Sequence, residues 1–77
     1  MRQKYGDTIV GTRVVDGTEV VIYGCWDEET PEGQYDYYDL YVDGECINMG
    51  SPCWMKPTDQ VIKKHLDFRK EVLQLDS

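Results

Sequence analysis

Two Asp-Gly dipeptides, Asp16-Gly17 and Asp43-Gly44, each stand between runs of strand-forming residues, and nothing else in the chain constrains its fold as much. A two-residue hairpin loop needs positive φ at both central positions, which aspartate tolerates and glycine adopts freely. The first dipeptide divides TIVGTRVV from TEVVIYGCW, which pairs Val15 with Thr18, Val14 with Glu19, Arg13 with Val20 and Thr12 with Val21. The second divides YDYYDLYV from ECINM and pairs Val42 with Glu45, Tyr41 with Cys46 and Leu40 with Ile47. Strands are therefore expected near residues 8–15, 18–26, 35–42 and 45–49.

Side chains alternate across a strand, so each hairpin has two faces. In the first hairpin Ile9, Val15, Val20, Ile22 and Trp26 share one face, and Val10, Val14, Val21 and Tyr23 the other. Both faces are apolar, so the pattern does not select the core side. In the second hairpin Tyr38, Leu40, Val42, Ile47 and Met49 form an apolar face, whereas Tyr35, Tyr37, Asp39, Tyr41, Cys46 and Asn48 form a mixed one. The hairpin is expected to put the first set in the core and the tyrosine set in water.

The segment PTDQVIKKHLDFRKEVLQL carries helical periodicity. Thr58 suits the N-cap and Asp59 the positive end of the helix dipole, which predicts a helix near 59–74. Val61, Ile62, Leu66, Phe68, Val72, Leu73 and Leu75 make its apolar arc, with His65 and Arg69 inside it. Arg69 is placed to reach the rim or to pair with a sheet carboxylate. Leu40, Ile47, Leu66 and Phe68 are the expected centre of the core. The loop Asp27–Gln34 is punctuated by Pro31 and Gly33 and kept wet by four acids. In GSPCWMKP two prolines exclude a helix, and Trp54 and Met55 are expected to fold back over the core. The architecture is α+β: a small antiparallel sheet of about four strands with one C-terminal helix on one face.

The chain has 77 residues, room for one domain, with residues 1–6 expected to lack regular structure. It carries no apolar run of membrane-spanning length, and MRQKYGDTIV lacks the apolar stretch of a signal peptide. A cytoplasmic location without membrane attachment is the expectation. The net charge is −7, unevenly placed: the stretch from Val14 to Met55 holds ten acids and no base. Direct nucleic-acid binding requires a basic footprint, which that stretch denies.

Three cysteines, Cys25, Cys46 and Cys53, occur without a CxxC spacing, the pattern of reduced thiols in a reducing compartment. A Cys46–Cys53 bridge is sterically conceivable, because the pair flanks a Gly-Ser-Pro turn. The three cysteines and His65 could compose a zinc set, but zinc sites show close ligand pairs on turns. The acidic run lacks the order of a calcium loop. Cysteines on strands are more often small core residues, and acids on a strand a solvated edge. No cofactor or metal is therefore expected.

For catalysis the sequence offers only Cys53 and His65, with no GxSxG or HExxH motif around them. The expected function is instead that of a non-enzymatic protein-binding module. Tyr35, Tyr37 and Tyr41 would be its anchors, and Asp36, Asp39, Asp43 and Glu45 its steering charges. The expected partner is a protein with a basic surface, such as a nucleic-acid-binding protein. The chain would then act as an inhibitor or nucleic-acid mimic of the kind that phages and mobile elements encode. The alternative is an accessory domain whose second copy, in a homodimer, covers the remaining apolar face.

Overall fold

The computed structural model describes residues 4–49 and 51–75, with side chains as far as Glu71. Four strands, β1 (Gly6–Val15), β2 (Thr18–Trp26), β3 (Tyr37–Val42) and β4 (Glu45–Cys46), precede one helix, α1 (Asp59–Leu75). The strands form one antiparallel sheet in the order β1-β2-β3-β4. This is the α+β arrangement that the turns and the helical periodicity imply. Of the six N-terminal residues expected to be irregular, Met1, Arg2 and Gln3 lie outside the described residues, and Gly6 already opens β1.

Both turns have the required geometry. Asp16 and Asp43 each have φ 51°, and Gly17 and Gly44 have φ 76° and 82°. The pairs Val15–Thr18, Val14–Glu19, Arg13–Val20 and Thr12–Val21 form as the turn dictates. Below them the register shifts between Ile9 and Gly11, so Val10 is an extra, bulged residue. The shift corrects the alternation read from the sequence. Ile9 pairs with Tyr23, on the face opposite Val20 and Ile22, and is 57% exposed, while Val10 packs against the core.

One face of the sheet holds the core. Val15, Val20, Ile22, Leu40 and Val42 meet Ile62 and Leu66 of α1 there, all buried. Three ion pairs tie the helix across that face: Asp59 to Arg13 of β1 at 2.9 Å, Lys63 to Asp16 of the first turn at 3.2 Å, and Arg69 to Glu45 of β4 at 3.1 Å. Each is solvent-accessible and screened by water, so apolar contact holds the helix and the pairs fix its direction. Arg69 thus takes the sheet carboxylate expected of it. Phe68 does not join the core and is 65% exposed. It lies about 120° round the helix from Ile62, outside the narrow stripe that a single sheet can cover. Ile47 is only partly buried at the core margin. The side chains of Val72, Leu73 and Leu75 lie outside the described residues.

The end of this face remote from the hairpin turns is covered differently. Gly6 and Gly24 leave slots on the sheet. A Cβ built on Gly24 would come within 2.6 Å of the Tyr35 ring, and one on Gly6 within 2.8 Å of the Trp26 ring. Trp26, Tyr35 and Tyr38 form a run of tilted rings with centroids 6.2 and 6.0 Å apart. Aromatic rings laid over strand glycines replace the missing side chains, and here they continue the core beyond the helix.

The outer edge of β3 is sealed by a device the sequence did not reveal. β4 ends at Cys46, so it covers only Tyr41 and Val42. Beyond it the Ile47 N–H donates to the Leu40 carbonyl at 2.8 Å. The Asn48 side chain then stands in for a strand: its Oδ1 accepts from the Leu40 N–H at 3.0 Å, and its Nδ2 donates to the Tyr38 carbonyl at 3.2 Å. Cys53 completes the edge with a two-way bridge to Tyr38, at 2.8 and 3.4 Å. Asn48 is accordingly 3% exposed and Met49 84% exposed, the reverse of the alternation expected for a strand reaching 49. Among the described residues the loop from Ser51 makes its backbone return to the sheet at Cys53. Trp54 and Met55 remain 67% and 80% exposed, so their expected burial does not occur.

Candidate interaction face

The face opposite α1 carries no second layer among the described residues. Its composition follows from register. Asp7, Cys25 and Tyr37 form one cross-strand row, Ile9, Tyr23 and Asp39 the next, and Thr12, Val21, Tyr41 and Cys46 a third. Tyr37 and Tyr41, both half-buried, therefore share this face with Asp39 between them, as their spacing implies. Pairing of β2 with β3 adds Tyr23, whose ring lies 4.9 Å from that of Tyr41. Trp54 adds a fourth ring, edge-on to Tyr37 at 6.1 Å. Sequence reasoning missed both. Alternation places Tyr23 on a face of its own hairpin, but only the β2–β3 pairing, which no turn residue encodes, joins that face to the tyrosines of β3.

Tyr35 is not on this face. It precedes β3, and its ring fills the Gly24 slot on the helix side, so alternation within β3 does not apply to it. Glu45 is also on the helix side, paired with Arg69. Asn48, grouped with the tyrosines by alternation, is the buried edge seal. Asp36 is exposed, and its N–H donates to the Cys25 carbonyl at 2.7 Å. Asp43 is exposed at the tip of the second turn.

Asp39 is the most informative carboxylate. It is half-buried, flanked by Tyr37 and Tyr41 along β3, and opposite Tyr23. Its Oδ2 lies 3.6 Å from the Cys25 thiol, the donor in that contact. Burial, with Asp39 and Asp7 close by, pushes the Cys25 thiol up to about 12. The Tyr37 hydroxyl is raised by the neighbouring Cys25 sulfur, then by burial and the Asp39 and Asp36 charges. The Tyr41 hydroxyl is raised by burial, then by Cys46, Asp39 and Asp7. Both phenols are therefore neutral near pH 7 and face an anionic centre. A shallow cavity of about 380 Å³ opens here, with Asp7, Asp27 and Asp39 around it and Tyr5 and Tyr37 as walls.

Among the described residues the ion-paired bases are Arg13, Arg69 and Lys63, and all serve the helix side. Among the described residues neither Asp7 nor Asp39 has a cationic partner. Among the described residues the ion pairs thus lie on the helix side, and the carboxylates of the open face are unpaired.

Cys53 and His65 line a separate apolar groove of about 520 Å³ with Trp54, Met55 and Val61. Burial raises the Cys53 thiol, although an amide hydrogen bond from Asn48 works the other way, and burial lowers His65. A raised thiol is the opposite of what an activated nucleophile needs. All three cysteines are free, and among the described residues no three His, Cys, Asp or Glu side chains converge as a metal site. No helix among the described residues is long and apolar enough to cross a membrane. No family model, curated protein or solved structure matches the chain.

Proposed function

We propose that the chain is a non-enzymatic binding module whose open sheet face takes a basic segment of a protein partner. A nucleic-acid-binding protein presents such a segment, and the module would occupy it as an inhibitor or nucleic-acid mimic. The observation that carries this reading is where the ion pairs lie. Among the described residues Asp7 and Asp39 have no ion-paired cation and stand beside half-buried tyrosine rings and the exposed Trp54, while the ion-paired bases lie on the helix side. An incoming guanidinium finds there a carboxylate to pair with and phenol faces to stack on. Tyr37, Tyr41, Tyr23 and Trp54 supply anchoring area at low entropic cost. Asp36 and Asp43, free in solvent at either end of β3, steer the encounter.

The test is titration of an arginine nonapeptide into the chain, followed by calorimetry and stopped-flow tryptophan fluorescence. Asp7→Asn with Asp39→Asn should slow association and flatten its salt dependence. Tyr37→Ala with Tyr41→Ala should speed release, by about 2 kcal/mol if the pair is a hot spot. Thermal melts run beside both. Unchanged binding after neutralising the two aspartates would defeat the proposal. So would an unfolded tyrosine double variant, which would make those rings structural.

A further inference from the structure

The sheet has two edges, and the chain treats them differently. Along β3 every stretch beyond β4 is closed, by the Ile47 N–H, the buried Asn48 amide and the Cys53 bridge. Along β1 no loop backbone or side chain bonds to the outer main chain among the described residues. In a hairpin closed by a two-residue turn, Val15 and Thr18 exchange both their hydrogen bonds, and bonded pairs then alternate. Arg13 and Gly11 therefore point their main-chain groups inward to β2. Thr12 and Val14 point theirs outward, and both residues are exposed. The bulge at Val10 ends this straight stretch, leaving Gly11–Val15 as a five-residue open edge.

We propose that this edge pairs with the same edge of a second copy, antiparallel, to make one continuous eight-stranded sheet. Antiparallel edge pairing is two-fold symmetric, so one edge suffices for both partners. Charge selects the occupant. A chain of net charge −7 repels its own copies, most strongly wherever the acidic stretch from Val14 to Met55 is brought together. The β1 edge is the exception. Between Lys4 and Val15 there are two bases and one acid, and the Arg13 charge is already matched by Asp59 at 2.9 Å. Pairing β1 with β1 also keeps the β3 and β4 acids of the two copies at opposite ends of the joined sheet. With the pairing centred on Arg13, Thr12 of each copy meets Val14 of the other, and both outward sets of main-chain groups are satisfied. The aromatic faces stay free, so self-association and capture of a basic partner occupy different surfaces.

Sedimentation over a concentration series of the full chain tests the proposal. The mass should rise from 9.0 kDa toward twice that value, and rise further in added salt as self-repulsion is screened. Val14→Pro removes an outward donor without deleting a bond to β2. Thr12→Glu adds a charge that two-fold symmetry sets near its own copy. Each should weaken association roughly tenfold to a hundredfold, because every loss counts twice in a symmetric pair. Melting curves accompany both variants, and if the proline variant unfolds, the glutamate variant decides. In exchange experiments the Thr12 and Val14 amides should gain protection with concentration. A monomer at every concentration overturns the proposal. So does a dimer that survives both variants, or one that only Tyr37→Ala with Tyr41→Ala dissolves.

Discussion

Replacing Asn48 with alanine tests the least expected part of the fold. The side chain is 3% exposed and makes both halves of a strand-like contact, to the Leu40 N–H at 3.0 Å and the Tyr38 carbonyl at 3.2 Å. Truncation leaves the Leu40 N–H buried without a partner, at about 1–3 kcal/mol. The Tyr38 carbonyl keeps its bond from Cys53 at 3.4 Å, so its loss is only the net value of one bond, about 0.5–1.5 kcal/mol. The sum is about 1.5–4.5 kcal/mol. A chain of this length holds roughly 4–12 kcal/mol in all. For so small a domain each kcal/mol moves the melting point by about 4–8 °C, so a fall of at least ~6 °C is expected by circular dichroism. Hydrogen exchange at Leu40 should quicken selectively. Asn48→Asp adds a sign. The introduced carboxyl is buried beside a carbonyl, which raises its pKa above the unfolded value, so its protonated form fits and its charged form does not. That variant should approach the parent in acid and diverge from it as pH rises. An alanine variant melting within ~2 °C of the parent would show that the edge does not depend on Asn48.

Leu40 and Leu66 are 0% and 4% exposed, so alanine at either should cost about 2–5 kcal/mol, whereas Phe68→Ala, at a 65% exposed position, should stay within ~0.5 kcal/mol; equal losses in urea melts would refute the assigned helix face. The Asp59 carboxyl is held below its usual range chiefly by the hydrogen bond from Arg13. A depressed carboxylate adds stability above the unfolded value of about 3.9 and loses it as pH falls through the folded value. The melting gap between the parent and Asp59→Asn should therefore be present at neutral pH and close in acid, and a constant gap would remove the ion pair from the account.

What the sequence made legible is what local chemistry encodes. Asp16-Gly17 and Asp43-Gly44 admit one turn geometry, and that geometry set the Val15–Thr18 and Val42–Glu45 registers without reference to the rest of the chain. Ile62 and Leu66 could be read as core because one turn of helix separates them. Errors began where a residue's place depends on something distant in sequence. Ile9 lost its face to one bulged residue, because period-2 alternation has no memory across an insertion. Tyr35 obeyed the vacancy at Gly24 rather than its spacing from Tyr37. Asn48 looked like an exposed polar position, since nothing in ECINM says that a two-residue strand will leave a longer neighbour unpaired. The candidate face is a further case. Tyr37, Asp39 and Tyr41 were readable as a set because they lie on one strand. Tyr23 belongs with them only through the β2–β3 pairing, and Trp54 only through the return of its loop at Cys53. A surface assembled from four segments, β1 with Asp7 included, carries its signature in tertiary contacts. Only the part that a single strand contributes can be recovered from alternation.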